Sequence, residues 1–489
     1  MTGVMIDSEN GDGVSRGLDK VPLHITGKSI YTDHQFQTIN PAMGEVIATV
    51  SGASLDEAKL AVTSAEVSFP AWSETEPGKR RTIFLRAADI LEQRAFECSK
   101  YMRDETGADV SWCKFNVQIS AELLRDIAGR IATIQGFIPA TSAKDCTALV
   151  YKEPWGVILA IAPWNAPYIL GFRSVAYALA AGNTCVLKGS EISPRCFWAI
   201  VSIFEEAGLP PGCLNVIYHR PKDAAEVTRA LIEHPAVKKI NFTGSTTVGR
   251  IIAEIAGKNI KPVLMELGGK ASTIILEDAD LQQAARACAR GSFLHAGQIC
   301  MSCERIIVQS SVTDAFVEAL MFATKERFGQ GDGMQLMVSD RAADRTNRLV
   351  QQAISGGARP LAGHDTNGIQ GARMTPVVLK GVTKEMDLYY TESFGPTVIL
   401  ITVDDEEQAV AVANDTEYGL SAAVFTRDLQ KALRLVKKID SGAVHINGMT
   451  VHDEPTLPHG GVKNSGFGRF GSDLGLEEFL RTKTVTFQN

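Results

Sequence analysis

Apolar and polar positions change their period several times along this chain. From residue 21 to 50, short alternating runs around Asn40-Pro41-Ala42-Met43-Gly44 predict strands joined by turns. Spacings of three and four then predict a helix capped by Ser54 and running through Glu66, a second helical run over 77–106 and a long helix over 110–132. A strand-like run at 146–151 stands outside the regular alternation on its C-terminal side and reads as an arm. From 157 onward, short continuous apolar runs alternate with amphipathic ones. Strands are expected at 157–162, 184–187, 214–218 and 239–242, with helices at 170–181, 194–206, 224–233 and 247–255. This is the order of a doubly wound parallel sheet, whose ligands bind beyond the carboxyl ends of the strands.

A second block of the same kind begins after Glu266. Its expected strands are 271–276, 306–308, 397–401, 422–425 and 443–446, and its helices 281–293, 312–323, 406–413 and 429–439. A loop-rich stretch from 329 to 371 interrupts it. The glycine-dense run 458–471 predicts an extended loop, and 482–487 alternates like a strand in need of a partner. No internal repeat is evident.

Length and composition narrow the class. A chain of 489 residues exceeds one ordinary core and implies two or three subdomains. Its 45% hydrophobic and 21% charged residues are those of a globular protein, and a net charge of -7 argues against a nucleic-acid partner. The longest apolar stretch, 157–170, is broken by Pro163, Asn165 and Pro167 and is too short to span a bilayer. The first twenty residues are polar and lack the apolar core of a signal peptide, so a frayed arm and a cytoplasmic protein are expected. Nine cysteines without a framework pattern suit a reducing compartment.

Candidate chemistry gathers around Leu294-His295-Ala296-Gly297-Gln298-Ile299-Cys300-Met301-Ser302-Cys303. A thiol attacks a carbonyl as thiolate, so Cys300 as nucleophile needs a base or a lowered pKa. Glu266, followed by Leu267-Gly268-Gly269-Lys270, is the natural partner, since two glycines let backbone pack close. The alternative is that Cys300 is a small core filler. Cys300 and Cys303 also have the spacing of a thiol pair, but no second Cys pair or matching His pair accompanies them, so no metal site is expected. At two strand ends stand Lys188-Gly189-Ser190-Glu191, placed to meet a ribose or simply to form a solvated turn, and Thr243-Gly244-Ser245-Thr246-Thr247-Val248-Gly249, whose backbone N–H groups open a helix toward a phosphate. The latter is neither a G-x-G-x-x-G fingerprint nor a Walker A loop.

Pro163-Trp164-Asn165, Lys188 to Glu191, Phe242-Thr243-Gly244-Ser245, Glu266 to Lys270, Gly297-Gln298-Ile299-Cys300 and Glu392-Ser393-Phe394-Gly395-Pro396, taken in this order and spacing, resemble the aldehyde dehydrogenase superfamily over about residues 22 to 489. The resemblance implies an α/β fold of two doubly wound parallel-sheet domains plus a small β oligomerisation arm. It assigns 1–139 and 156–267 to an NAD-binding domain, 268–464 to a catalytic domain, and 140–155 with 465–489 to the arm and C-terminal segment, in a homodimer or homotetramer. It implies Cys300 as nucleophile, Glu266 as general base and Asn165 as oxyanion donor. It places the cofactor, NAD with NADP as the alternative, against Trp164, Lys188, Glu191, Gly244, Ser245, Gly249, Leu267, Glu392 and Phe394.

Two departures from the family pattern bear on the chemistry. Phe470 stands where many members carry a glutamate, which leaves Glu266 more alone, and Cys303 stands near enough in sequence to form a protective disulfide with Cys300. The run Asn165 to Arg173, with Arg469-Phe470-Gly471, resembles the branch that oxidises salicylaldehyde, vanillin and benzaldehyde. Arg173 and Phe470 are therefore expected at a small-molecule aldehyde, the alternative for Arg173 being a surface or interface ion pair. Rival functions are acyl transfer to coenzyme A, a thiol esterase, an aliphatic or semialdehyde dehydrogenase, and a non-catalytic binding protein on the same fold.

Overall fold

The structure, a computed structural model, describes residues 19–329, 333–363 and 369–488. The expected N-terminal arm therefore lies almost wholly outside the described residues. Strands Val157–Ile161, Thr184–Lys188, Leu214–Ile217 and Val263–Glu266 are almost entirely buried, as continuous apolar runs require when helices cover both faces of a sheet. With Val237–Thr243 they form the parallel heart of an eight-stranded sheet. Its order is Gly466–Phe467, Val263–Glu266, Val237–Thr243, Val157–Ile161, Thr184–Lys188, Leu214–Ile217, Leu23–Ile25, Lys28–Ile30, with antiparallel pairing at both edges. The chain near 466, expected to run with the arm, thus first adds to this sheet beside Glu266.

The second sheet has seven strands, in the order Arg359–Ala362, Val377–Lys380, Thr397–Val403, Cys303–Gln309, Ala271–Ile275, Ser421–Phe425, Ala443–Ile446. All neighbours in it are parallel except the first pair. A separate ribbon joins Cys146–Pro154 to Leu480–Gln488, antiparallel from Leu480↔Pro154 to Gln488↔Cys146. The lone strand at the C-terminus has thus found its partner in the run near 146.

Ser54 caps the helix Leu55–Ser73 through a capping box with Glu57. Three expectations fail. The helical run 77–106 is two helices, Pro77–Gln93 and Ala95–Thr106, separated at Arg94 with neither glycine nor proline to mark the break. The stretch 329–371 contains the helix Asp340–Ser355, started by Ser339 accepting from the Ala342 N–H. The glycine-dense run 458–471 holds two short strands, Val462–Lys463 and Gly466–Phe467. Among the described residues no helix is long and apolar enough to cross a membrane.

Candidate active site

The first sheet presents its carboxyl ends to the site. Trp164 and Asn165 follow Val157–Ile161, Gly244 and Ser245 follow Val237–Thr243, and Glu266 closes Val263–Glu266. The second sheet presents its amino ends: Leu267 to Lys270 enter Ala271–Ile275, Cys300 enters Cys303–Gln309, and Glu392 to Phe394 enter Thr397–Val403.

The turn before Cys300 is strained. His295 and Ala296 lie at φ +50° and +55°, and Gly297 at +69°, a backbone region that costs residues with a Cβ and persists only where surroundings impose it. The His295 ring is stacked on Trp112 at 5.6 Å, and burial lowers its pKa to about 4, so the ring is neutral. Gln298 ties the turn down, its Oε1 accepting from the Val338 N–H at 2.9 Å and its Nε2 donating to His295 O at 3.1 Å. Gly269 completes the support, because a Cβ there would sit 2.2 Å from Cys300 O.

So positioned, Cys300 borders two cavities. One, about 260 Å³, is walled by Trp112, Phe115, Ile169, Met301, Met449 and Val451, with Arg173, Glu266 and Asp453 at its polar side. The other, about 510 Å³, is lined by Trp164, Gly244, Ser245, Leu267, Glu392, Phe394 and the Ser339 to Arg345 end of the helix that the loop-rich pattern concealed. Asn165, Leu170 and Cys300 line both. Asn165 Nδ2 donates to Gln298 O at 2.9 Å, and its backbone carbonyl accepts from Trp112 Nε1 at 3.1 Å. An amide nitrogen carries two hydrogens, so one remains for an oxygen near the thiol.

Cys300 Sγ lies 3.8 Å from Glu266 Oε1. Burial and the charges of Glu266 and Glu392 push the thiol pKa well above its ordinary value, with Arg173 opposing them. Glu266 itself has company that the sequence did not announce. Arg173 Nη2 donates to its Oε2 at 3.0 Å, and His459 Nε2 lies 3.0 Å from its Oε1. Arg173 Nη1 also donates to Asp453 at 2.7 Å. Burial alone would raise the Glu266 carboxyl, but Arg173 and His459 overrule it and bring its pKa down to about 2. The expectation that Glu266 stands alone is therefore corrected: a guanidinium and an imidazole, 93 and 193 residues away in sequence, hold it.

Arg173 is a buried ion pair facing the smaller cavity, not a surface one. Phe470 lines neither cavity. Its buried ring lies 5.3 Å from the guanidinium carbon of Arg173 and supports that cation from behind. The idea of a Cys300–Cys303 disulfide also fails. All nine cysteines are free, and Cys303 points into the core of the second sheet, its Sγ 3.1 Å from Thr273 Oγ1, while Cys300 packs against the first core.

On the side of the larger cavity, Glu392 accepts from the Gly269 N–H at 2.8 Å, and burial with the charge of Glu304 raises its pKa to about 8. Glu304 pairs with Lys270 at 2.5 Å and accepts from the Ser393 and Phe394 N–H groups, fixing the loop that carries Glu392. Phe394, at φ +49°, meets the Trp164 ring edge-on at 6.0 Å. Lys188, Glu191 and Gly249 do not line this cavity. Lys188 is buried at its strand end, where burial lowers its pKa and Glu191 counters the shift. His219 shares that environment, its pKa brought to about 4 by burial and Lys188, and its Nε2 has no hydrogen-bond partner among the described residues. Gly249 lies within the helix Thr246–Lys258, where a Cβ would come 2.5 Å from Leu267 Cδ2. Asp453, His459, Glu304 and Trp112 carry no signal in the sequence because none belongs to a motif with its partner.

The family model for the aldehyde dehydrogenase family matches residues 30–485. A vanillin dehydrogenase from Pseudomonas sp. strain HR199 is 45% identical over 476 residues, 96% of this chain and 98% of that protein. A salicylaldehyde dehydrogenase from Pseudomonas sp. strain C18 is 40% identical over 479 residues, again 96% and 98%. The crystal structure of a salicylaldehyde dehydrogenase from Pseudomonas putida G7, complexed with salicylaldehyde, superposes with a TM-score of 0.93 at 39% identity, covering 96% of this chain and 98% of that one.

Proposed function

The chain belongs to the aldehyde dehydrogenase family and is an aldehyde dehydrogenase, and we propose that its substrate is an aromatic aldehyde, oxidised to the acid with NAD in the cytoplasm by a homodimer or homotetramer. One observation carries the reading: the thiol of Cys300 and the amide of Asn165 stand at the junction of two cavities, one walled by rings and aliphatic side chains, the other opened by a helix N-terminus. The apolar wall suits a benzene ring, and the names of the relatives point the same way.

The lining of the larger cavity supports a nicotinamide dinucleotide there. Gly244 and Ser245 begin a helix there, ready for phosphate oxygens, and Trp164, Glu392 and Phe394 surround the end nearest the thiol. These residues would hold a nicotinamide, which would supply the hydride acceptor for oxidation of the thiohemiacetal on Cys300 to a thioester. The protein's own groups do the rest. Cys300 adds to the carbonyl after losing its proton to Glu266, and Asn165 stabilises the oxyanion, a contribution of about 3 kcal/mol for such a donor. Glu266 then takes a proton from the water that hydrolyses the thioester. We assign Lys188 and Glu191, which lie outside that cavity, to the adenosine ribose of a dinucleotide that extends beyond it, where the carboxylate would accept from hydroxyls and repel a 2′-phosphate.

A panel of benzaldehyde, salicylaldehyde, vanillin and an aliphatic aldehyde, each with NAD or NADP, tests the proposal. The expected order is aromatic above aliphatic and NAD above NADP in kcat/KM. Cys300→Ala should abolish turnover. Glu266→Gln should stop after at most one reduced cofactor per site, with one acyl group added to the protein mass, because an amide accepts no proton. Turnover surviving in Cys300→Ala, or a preference for aliphatic aldehydes, would overturn it.

A further inference from the structure

Glu266 sits in a closed ring of four charged or titratable side chains. His459 Nε2 lies 3.0 Å from Glu266 Oε1, and His459 Nδ1 lies 3.7 Å from Asp453 Oδ1. Arg173 closes the circle, at 2.7 Å from Asp453 and 3.0 Å from Glu266. The ring is largely buried, and the backbone that carries His459 is pinned to that of Phe470: the His459 backbone N–H donates to Phe470 O at 2.7 Å, and the Phe470 backbone N–H to His459 O at 2.8 Å.

The charge of this ring depends on one proton. With His459 protonated, two cations face two carboxylates, and Glu266 is a satisfied anion with little tendency to accept a proton. With His459 neutral, Glu266 keeps one cation of its two and holds a proton more readily. We propose that His459 is a positioning residue that gates the basicity of Glu266: deprotonation of the imidazole makes the carboxylate a working base, and the imidazole then receives the proton that Glu266 collects. In that transfer the S–H bond of Cys300, or an O–H bond of water, breaks heterolytically and leaves its electron pair on sulfur or oxygen. The proton passes to Glu266 Oε1 and on to Nε2 of a neutral imidazole whose Nδ1–H faces Asp453. Nothing is oxidised or reduced, and the proton later leaves to solvent.

The charged groups acting on His459 come from several elements: Glu266 on its strand, Arg173 on the helix Pro167–Ala180 and Asp453 on the loop of His459 itself. Cys300 and Tyr177 reach this ring through Arg173, and His445, on the strand Ala443–Ile446, feels the charge of His459. Burial disfavours the imidazolium, Asp453 and Glu266 favour it, Arg173 opposes it, and the balance lies above the ordinary histidine value. Burial lowers the His445 pKa to about 4, so that ring is neutral. Activity should accordingly fall on the acid side as His459 gains its proton.

The inference rests on the reading of Glu266 as base, and the measurement separates the two. The full-length enzyme is assayed with NAD and benzaldehyde for kcat/KM across neutral pH. The wild type should lose about tenfold per pH unit below the limb set by one essential deprotonation. His459→Gln keeps toward Glu266 the N–H donor that only the imidazolium offers and cannot titrate, and His459→Phe removes donor and acceptor alike. Both should be flat over that range, with lower plateau rates, because neither side chain can take up the proton that Glu266 collects. If His459 only props Glu266, the Gln variant will keep the wild-type limb, and the gate is wrong. A wild type without an acid limb overturns it equally. Should the Gln variant lose its cooperative unfolding transition, the Phe variant supplies the same readout. Glu266→Gln decides the base: wild-type turnover there removes the base, whereas a stalled acyl adduct beside an unaltered limb in His459→Gln removes the gate alone.

Discussion

Glu266 has to remain an anion next to a thiol and yet accept that thiol's proton. With its pKa held at about 2 by Arg173 and His459 against burial, and the Cys300 thiol pushed up by burial and neighbouring carboxylates, transfer is uphill by ~1.4 kcal/mol per unit of separation. The arrangement keeps the resting thiol protonated, and Arg173 is its anchor. Arg173→Met would leave Glu266 and Asp453 buried without their shared cation, a loss of about 3–5 kcal/mol for a broken buried pair, to be read from urea denaturation at neutral pH. The sign with pH follows from the direction of the Glu266 shift. A carboxyl lowered from 4.5 to about 2 adds stability above its unfolded value and loses it as pH falls through that window. The wild type should therefore lose stability over that window, and the variant should show a shallower slope there. Equal stability of the two proteins at neutral pH would mean that the ring contributes nothing to the fold.

At the scale of elements, close approaches matter more than the motifs that advertise them. Gly249, one of the positions at which the resemblance places the cofactor, packs against Leu267, which lines the larger cavity. Gly249→Ala would press a methyl group into the Leu267 side chain and displace that wall. The expected outcome is a several-fold higher KM for NAD with kcat little changed. An unchanged KM would show that the helix gives way instead. The strand and helix alternation was legible because its apolar runs are long and regular, and the helices Pro194–Glu206, Ala224–Glu233 and Leu281–Phe293 begin and end where the pattern does. The helix Asp340–Ser355 was not, because its buried face is built from Ala343, Thr346, Val350 and Ala353, three of them too small or too polar to register as an apolar stripe. Cys300, Glu266 and Asn165 stood out through the residues beside them. His459 and Asp453 lie in a stretch that reads as loop, and their relation to Glu266 exists only through strand pairing and helix burial far along the chain.

For the whole molecule, two sheets offer opposite ends to one site, so the carboxyl-end rule locates only half of it. The ribbon of Cys146–Pro154 and Leu480–Gln488 belongs to neither sheet. Every residue of its C-terminal strand after Leu480 is exposed, and Tyr151, Val485 and Phe487 present 47%, 39% and 47% of their surface to solvent. A two-stranded ribbon is marginal alone in water; Phe137 pairs with Val150 on the outer edge of Cys146–Pro154, and the outer edge of Leu480–Gln488 is a template for further pairing. A second copy of the chain would cover these apolar groups and extend the pairing, which is the physical case for the proposed homodimer or homotetramer. A chain ending at Phe479 tests it. Light scattering should give a multiple of the chain mass for the full-length protein and the single-chain mass for the truncated one, while near-ultraviolet circular dichroism reports an intact core in both. A full-length protein that is already monomeric would remove the oligomer. A truncated protein that keeps the full-length assembly would move the interface away from the ribbon.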